Sequence, residues 1–314
     1  MKHQFLTGAI CPLVTPFSAD DSIDRVGIAK LVCFAIDGGA EILMPTALTG
    51  EGPQLTEQET LEVWDAVFEA AEGKIPVFPA IVATTTQRAK RLARAAEKFG
   101  ACAIMVAPII SELYAGRSEN DVYGFHAAVA DTTNISIALF NYPSFTGVDY
   151  TAPLVARLTQ IESIGYIKES TGDSRRIHAI HRLVGERIQV ICGAPHFALE
   201  AFALGCQAWI TGIMNIAPRS AKQLIDAMLD DVNLVAARDI YYSRILPLVD
   251  FMAHTNNPTG VIKAGLRARG IDVGAPRSPG SDLGSVEFHA LAKLVGEIEK
   301  AETATQATHA RPPN

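Results

Sequence analysis

Short apolar runs recur along the chain and alternate with longer stretches whose apolar residues fall every third or fourth position. The runs occupy 9–13, 41–44, 77–81, 103–106, 136–140, 164–167, 188–191 and 208–211. Each is four or five residues long, mostly aliphatic, and predicts a strand buried on both faces. Between them, 26–36, 56–71, 86–99, 118–130, 152–158, 174–184 and 196–204 carry the spacing of amphipathic helices. Eight such strands with helical crossovers, and no glycine fingerprint after the first, predict a closed parallel (β/α)8 TIM barrel, an α/β fold, rather than an open doubly wound sheet.

Four more helical stretches follow the eighth strand, at 218–229, 234–254, 258–269 and 286–301. The expected organisation is a barrel over 1–217, a helical extension over 218–301 packed on it or on a neighbouring subunit, and a disordered tail over 302–314.

Composition narrows the class. The 314 residues are 48% hydrophobic and 19% charged, enough to bury a large core without disulfides or metal. The net charge of −7 comes from interspersed acids and bases, with no basic stripe for a nucleic-acid backbone. No apolar run approaches the roughly 18 residues that span a bilayer, so no membrane partner is expected. The first residues, Met1 to Gly8, lack a signal-peptide pattern, and a cytoplasmic location is expected. Cys11, Cys33, Cys102, Cys192 and Cys206 lie far apart in apolar stretches and read as reduced core thiols.

Barrel active sites form where the strands end, so the residues following each run carry the candidate chemistry. Lys168 follows the sixth run directly. An amine at the mouth of an apolar barrel is desolvated, which favours its neutral, nucleophilic form. Such an amine condenses with the carbonyl of a 2-oxo acid. A strand-ending lysine that faces solvent or pairs with Glu169 fits the same sequence. Thr49-Gly50-Glu51-Gly52, after the second run, can form a tight turn whose N–H groups take a carboxylate, or an ordinary loop before a Thr56/Glu59 capping box. Phe140-Asn141-Tyr142-Pro143-Ser144-Phe145-Thr146-Gly147 follows the fifth run and suits a pocket wall or a plain connecting loop. His178 and His181 lack a well-placed carboxylate, and no G-x-S-x-G, Walker or HExxH motif is present. No metal or other cofactor is expected.

Together these loops resemble the dihydrodipicolinate synthase / N-acetylneuraminate lyase family of class I, Schiff-base aldolases and lyases. The likeness runs from Gly8-x-x-x-Pro12-x-x-Thr15-Pro16-Phe17 to Lys263-Ala264-Gly265-Leu266. Ala47-Leu48-Thr49-Gly50-Glu51 matches the family's G-T-T-G-E loop in three of five places. Ile167-Lys168-Glu169 matches its lysine-bearing strand, and Phe140-Asn141-x-Pro143 follows its Y-N-x-P except at the first residue. Gly193 and Ile210-Thr211-Gly212 resemble its seventh and eighth strand ends.

The resemblance implies that Lys168 forms the imine and that Thr49, with the backbone of Leu48 and Thr49, holds the carboxylate of a pyruvate-like substrate. Gly50, Phe140, Gly193 and Ile210 complete the implied pocket, and the implied assembly is a homotetramer, a dimer of dimers. The chain departs from the family at Phe140, where the proton-relaying tyrosine stands. Tyr142, Thr49, a water or the substrate itself is left to replace it. Phe145 stands where dihydrodipicolinate synthases carry an arginine for the second substrate, and Ile110 or its neighbours where they carry a tyrosine that crosses the dimer. Phe140, Tyr142, Phe145, Ile109 and Ile110 thus describe an apolar pocket. The expected function is a 2-oxo-acid lyase of aldolase, dehydratase or deaminase type. Dihydrodipicolinate synthesis with substituted groups is the alternative, and a non-catalytic 2-oxo-acid-binding paralogue is a third.

Overall fold

The computed structural model describes residues 5–108 and 118–309, with side chains described to residue 304. Ile109 and Ile110 lie outside the described residues. The strands are β1 (Gly8–Pro12), β2 (Ile42–Met44), β3 (Ala80–Ile81), β4 (Ala103–Val106), β5 (Ser136–Asn141), β6 (Ile164–Glu169), β7 (Gln189–Cys192) and β8 (Ala208–Ile210). All pair in parallel, in the order β2-β1-β8-β7-β6-β5-β4-β3. The remaining seam, β2 to β3, closes through Phe78 N–H to Leu43 O at 2.8 Å, Ala80 N–H to Pro45 O at 3.0 Å and a bridge between Leu43 and Val77. A (β/α)8 barrel results, as the apolar pattern predicts. β3 is shorter than its 77–81 run because Pro79 has no N–H for the ladder.

The crossovers are α1 (Arg25–Asp37), α2 (Glu57–Ala71), α3 (Thr86–Phe99), α4 (Glu119–Ala130), α5 (Pro143–Thr146) with α6 (Ala152–Leu158), α7 (Ser174–Val184) and α8 (Ala198–Ala203). Their starts follow local chemistry. Thr56 and Glu59 close the expected capping box on α2, and Ser118 with Asp121 forms another on α4.

Strand alternation sorts the apolar side chains into two cores. Ile10, Met44, Phe78, Met105, Phe140, Tyr166, Ile191 and Ile210 fill the barrel, while their chain neighbours pack outward against the helices. A register shift where β5 meets β6 pairs Ile137 with Ile164 and Ala138 with Tyr166, so Gly165 is skipped. The bulge turns Tyr166, and Lys168 two residues on, toward the interior.

The extension comprises α9 (Pro218–Leu229), α10 (Leu234–Ile240), α11 (Leu246–Thr255), α12 (Pro258–Ala268) and α13 (Ser285–His309). The single helix expected over 234–254 is interrupted by a π segment, Tyr241–Ile245. Pro247 has no N–H to offer Ser243, and the ladder shifts to Leu246 N–H on Tyr241 O. Residues 302–309, expected in a tail, continue α13. Glu302 holds them down: buried, it accepts from Ser220 N and Oγ at 2.9 and 2.8 Å and pairs with Arg269 at 2.5 Å. Two cysteines also depart from expectation. Cys11, Cys192 and Cys206 are buried, but Cys33 and Cys102 are exposed; on α1 the inward positions are Leu31, Val32 and Ala35, leaving Cys33 outside.

Candidate active site

Lys168 is the fifth residue of β6 and shares its inward parity with Tyr166. It pairs across the sheet with Phe140 on β5 and Ile191 on β7. Its Nζ lies 4.9 Å from the centroid of the Phe140 ring. A cation would gain from that ring face, but burial disfavours the charged form and lowers the amine to about 8. Glu169 points the opposite way, which removes it as a counter-ion. Its carboxylate is buried behind the sheet, accepting from Asn141 Nδ2 and Thr171 N at 2.7 Å each. Asn141 Oδ1 in turn accepts the Tyr150 N–H at 3.1 Å, so β5 and β6 are tied together just where Phe140 and Lys168 face inward.

Gly193, after β7, makes room for the lysine. A Cβ there would stand 2.8 Å from Lys168 Cγ and Cε and 2.2 Å from Ser170 Oγ. Both side chains therefore lie against one bare backbone face. The Gly193 N–H is engaged, donating to Glu169 O at 2.8 Å. Ser170 Oγ is buried and makes no hydrogen bond among the described residues. Nothing in the chain's apolar pattern marks Ser170, and only its position two residues beyond the lysine could have drawn attention to it.

The loop after β2 is a set of tight turns. Gly50 N–H donates to Ala47 O, Glu51 N–H to Leu48 O and Gly52 N–H to Ala47 O, each at 3.0 Å. The N–H groups of Leu48 and Thr49 and the Thr49 hydroxyl have no hydrogen-bond partner among the described residues. Leu48 packs on the barrel interior, and Thr49 Cγ2 is 3.8 Å from where a Cβ on Gly212, after β8, would stand. Two open donors and a hydroxyl thus sit beside the interior cluster that holds Phe140 and Ile210. Gly50 itself offers neither polar group: its carbonyl accepts Thr15 Oγ1 at 2.6 Å, and a Cβ would meet Leu13 O at 2.7 Å. Gly50 thus shapes the turn that presents its neighbours Leu48 and Thr49.

What fixes this loop comes from the far end of the chain. Glu51 has a left-handed backbone, φ 57°, and its buried carboxylate lies 2.7 Å from Lys263 Nζ of α12. Lys263 also donates to Ala275 O at 2.9 Å, and the second Glu51 oxygen accepts the Arg277 N–H at 2.7 Å. Burial lowers the Lys263 amine, and the adjacent Glu51 opposes the shift. The extension is therefore part of the frame of the site.

Tyr142 follows β5, with its ring edge-on to Phe140 at 6.1 Å and stacked on Phe145 at 6.2 Å. His178 and His181 lie exposed on α7, and no group of three metal-ligating side chains occurs among the described residues. His196, on the loop after β7, sits against Gly172, with Nε2 2.3 Å from where a Cβ would stand.

A parallel barrel with an inward, desolvated lysine at the end of its sixth strand and open backbone donors after its second has the layout of a class I aldolase. The comparisons agree. The chain belongs to the dihydrodipicolinate synthetase family, whose model matches residues 5–298. A 4-hydroxy-tetrahydrodipicolinate synthase of Archaeoglobus fulgidus is 32% identical over 292 residues, 93% of this chain and 98% of that protein. The dihydrodipicolinate synthase of Aquifex aeolicus superposes with a TM-score of 0.87 at 27% identity, covering 94% of this chain and 98% of its own. The chloride-inhibited enzyme of Acinetobacter baumannii, solved with pyruvate, gives a TM-score of 0.87 at 25% identity over 94% and 99%.

Proposed function

We propose that this chain is a lyase that makes or breaks a bond beside the keto group of a pyruvate-like 2-oxo acid, through an imine on Lys168. The observation that carries the reading is the inward Lys168 amine, brought to about 8 by burial and laid against Gly193. At pH 7 such an amine is neutral in about one molecule in ten, against a few in ten thousand for a free lysine. The neutral nitrogen adds to the keto carbon and water leaves, giving an iminium. That iminium draws electrons from the next carbon, which can lose a proton or a carbon substituent to give an enamine, and the enamine can in turn expel a hydroxyl from the carbon beyond. The Leu48 and Thr49 N–H groups and the Thr49 hydroxyl suit the substrate carboxylate, since no protein group uses them among the described residues.

Proton transfer needs a group other than Phe140, which has no hydroxyl. Ser170 takes that part in this reading, because its buried hydroxyl shares the Gly193 face with the lysine. Tyr142 stands farther out, 38% exposed, with its ring against Phe140.

A second reading, 4-hydroxy-tetrahydrodipicolinate synthesis, is favoured by the activity that names the Archaeoglobus relative. Phe145 opposes it, since a second substrate with a carboxylate would find a ring there and not a guanidinium. A coupled assay with pyruvate and aspartate semialdehyde separates the two: turnover comparable with that of a dihydrodipicolinate synthase would establish the second reading and overturn the first. A non-catalytic 2-oxo-acid-binding paralogue would bind pyruvate without exchanging its methyl protons; the catalytic reading requires Lys168-dependent exchange in deuterium oxide, followed by NMR.

A homotetramer, a dimer of dimers, belongs to the same reading through the family resemblance, with native mass spectrometry as its check. The five free cysteines support a reducing, cytoplasmic setting.

A further inference from the structure

Three aromatic rings lead outward from the reactive amine. Phe140 lies under Lys168 Nζ, Tyr142 meets Phe140 edge-on, and Phe145 stacks on Tyr142 with the ring planes 13° apart. The series passes from buried to open: Phe140 is 2% exposed, Tyr142 38% and Phe145 45%. Local sequence fixes it. Pro143 starts the short turn α5, Phe145 and Thr146 N–H both donate to Tyr142 O, and Gly147, at φ 68°, ends it. Residues three apart on such a turn share one side, so the two outer rings stack.

We infer that the tail of the second substrate is an aryl or extended apolar group and not a carboxylate. The inference rests on the reading of Lys168 as the imine-forming residue. Exposed large rings in contact, continuous with a reaction centre, are surface that gains by being covered. The negative faces of those rings repel a carboxylate. The guanidinium groups that follow β6 do not offset this: Arg175 pairs with Asp173 at 2.9 Å, and Arg176 with Asp149 at 2.8 Å and with the Tyr150 carbonyl at 2.9 Å.

In the synthetic direction, the enamine of pyruvate on Lys168 attacks the aldehyde carbon through the former methyl carbon. A C–C bond forms, the carbonyl π pair moves to oxygen, and that oxygen takes a proton. Water then hydrolyses the iminium and frees a 4-aryl-4-hydroxy-2-oxo acid. Cleavage is the reverse.

The test compares initial rates of the full-length protein with pyruvate plus benzaldehyde and with pyruvate plus succinate semialdehyde. The expected kcat/KM ratio favours benzaldehyde by about ten-fold or more, and Phe145→Arg lowers that ratio by about ten-fold, the scale of one added or lost pocket contact. A wild-type preference for the acidic aldehyde overturns the inference. So does a Phe145→Arg variant with an unchanged ratio, including the case in which only its oligomeric state changes because the rings are a contact between copies. Borohydride trapping of pyruvate on the wild-type protein runs in parallel. Trapping without an aryl preference overturns the tail assignment alone; no trapping overturns the Lys168 reading along with it.

Discussion

Replacing Lys263 by methionine tests whether the C-terminal helices frame the substrate loop. The Lys263 side chain is fully buried and that of Glu51 3% exposed, with 2.7 Å between their charged atoms. Methionine keeps much of the volume but leaves the Glu51 carboxylate in the interior without its cation. Removing one partner of a buried pair costs about 3–5 kcal/mol, most of it the stranded charge. Denaturant unfolding at fixed protein concentration is expected to show a loss of that size. The Lys263→Met/Glu51→Gln variant, which strands no charge, should regain at least half of it. Glu51 also anchors the turns that present the Leu48 and Thr49 N–H groups, so the single variant should need on the order of ten-fold more pyruvate for half-maximal borohydride inactivation. A loss under about 1 kcal/mol, with the pyruvate dependence unmoved, would refute the framing role.

Three further outcomes follow from the same geometry. Gly193→Ala drives a methyl group into Lys168 Cγ and Cε and Ser170 Oγ, and should slow pyruvate trapping about 10²-fold with its circular dichroism spectrum retained; a full rate would mean the lysine does not lie on that face. Ser170→Ala should slow pyruvate methyl-proton exchange by about 10²-fold or more, well beyond its effect on trapping; equal effects on both would remove Ser170 from proton transfer. Lys168→Met should stabilise the protein near neutrality. The folded amine, at about 8, lies below its unfolded value, so its charge opposes folding below pH 8, and the penalty fades as pH rises toward the unfolded value. Unfolding at pH 7 should show a gain of about 1–3 kcal/mol that shrinks by pH 10, and a variant no more stable than wild type at pH 7 would contradict the desolvated lysine.

The barrel was legible because period and count suffice for it: eight runs buried on both sides admit few closed arrangements. Lys168 was legible for the same reason, standing where an apolar strand ends. Its direction was less so, because the bulge at Gly165 resets the alternation that decides which side of β6 faces inward. Glu169, one residue on, reads as a partner until the strand places it on the opposite face, bonded to Asn141. The pattern gives no sign of Lys263, since its partner Glu51 lies in a loop more than 200 residues away and an isolated lysine in a helix ordinarily reads as surface. Glu302 was hidden likewise: a charged residue in a polar segment suggests a tail until Arg269 and Ser220 hold it. The glycine loop was half legible. Its turns follow from residue type, but which N–H groups stay open depends on the local bonds that close them.

The most direct measurement is borohydride reduction in the presence of pyruvate, with peptide mapping of the adduct and its rate followed from pH 6 to pH 10. A single modified peptide carrying Lys168 is predicted, formed at a rate that climbs about ten-fold per pH unit and levels off near pH 8. An adduct elsewhere, none at all, or a rate still climbing toward the pH of an ordinary lysine would contradict a desolvated amine at the end of β6.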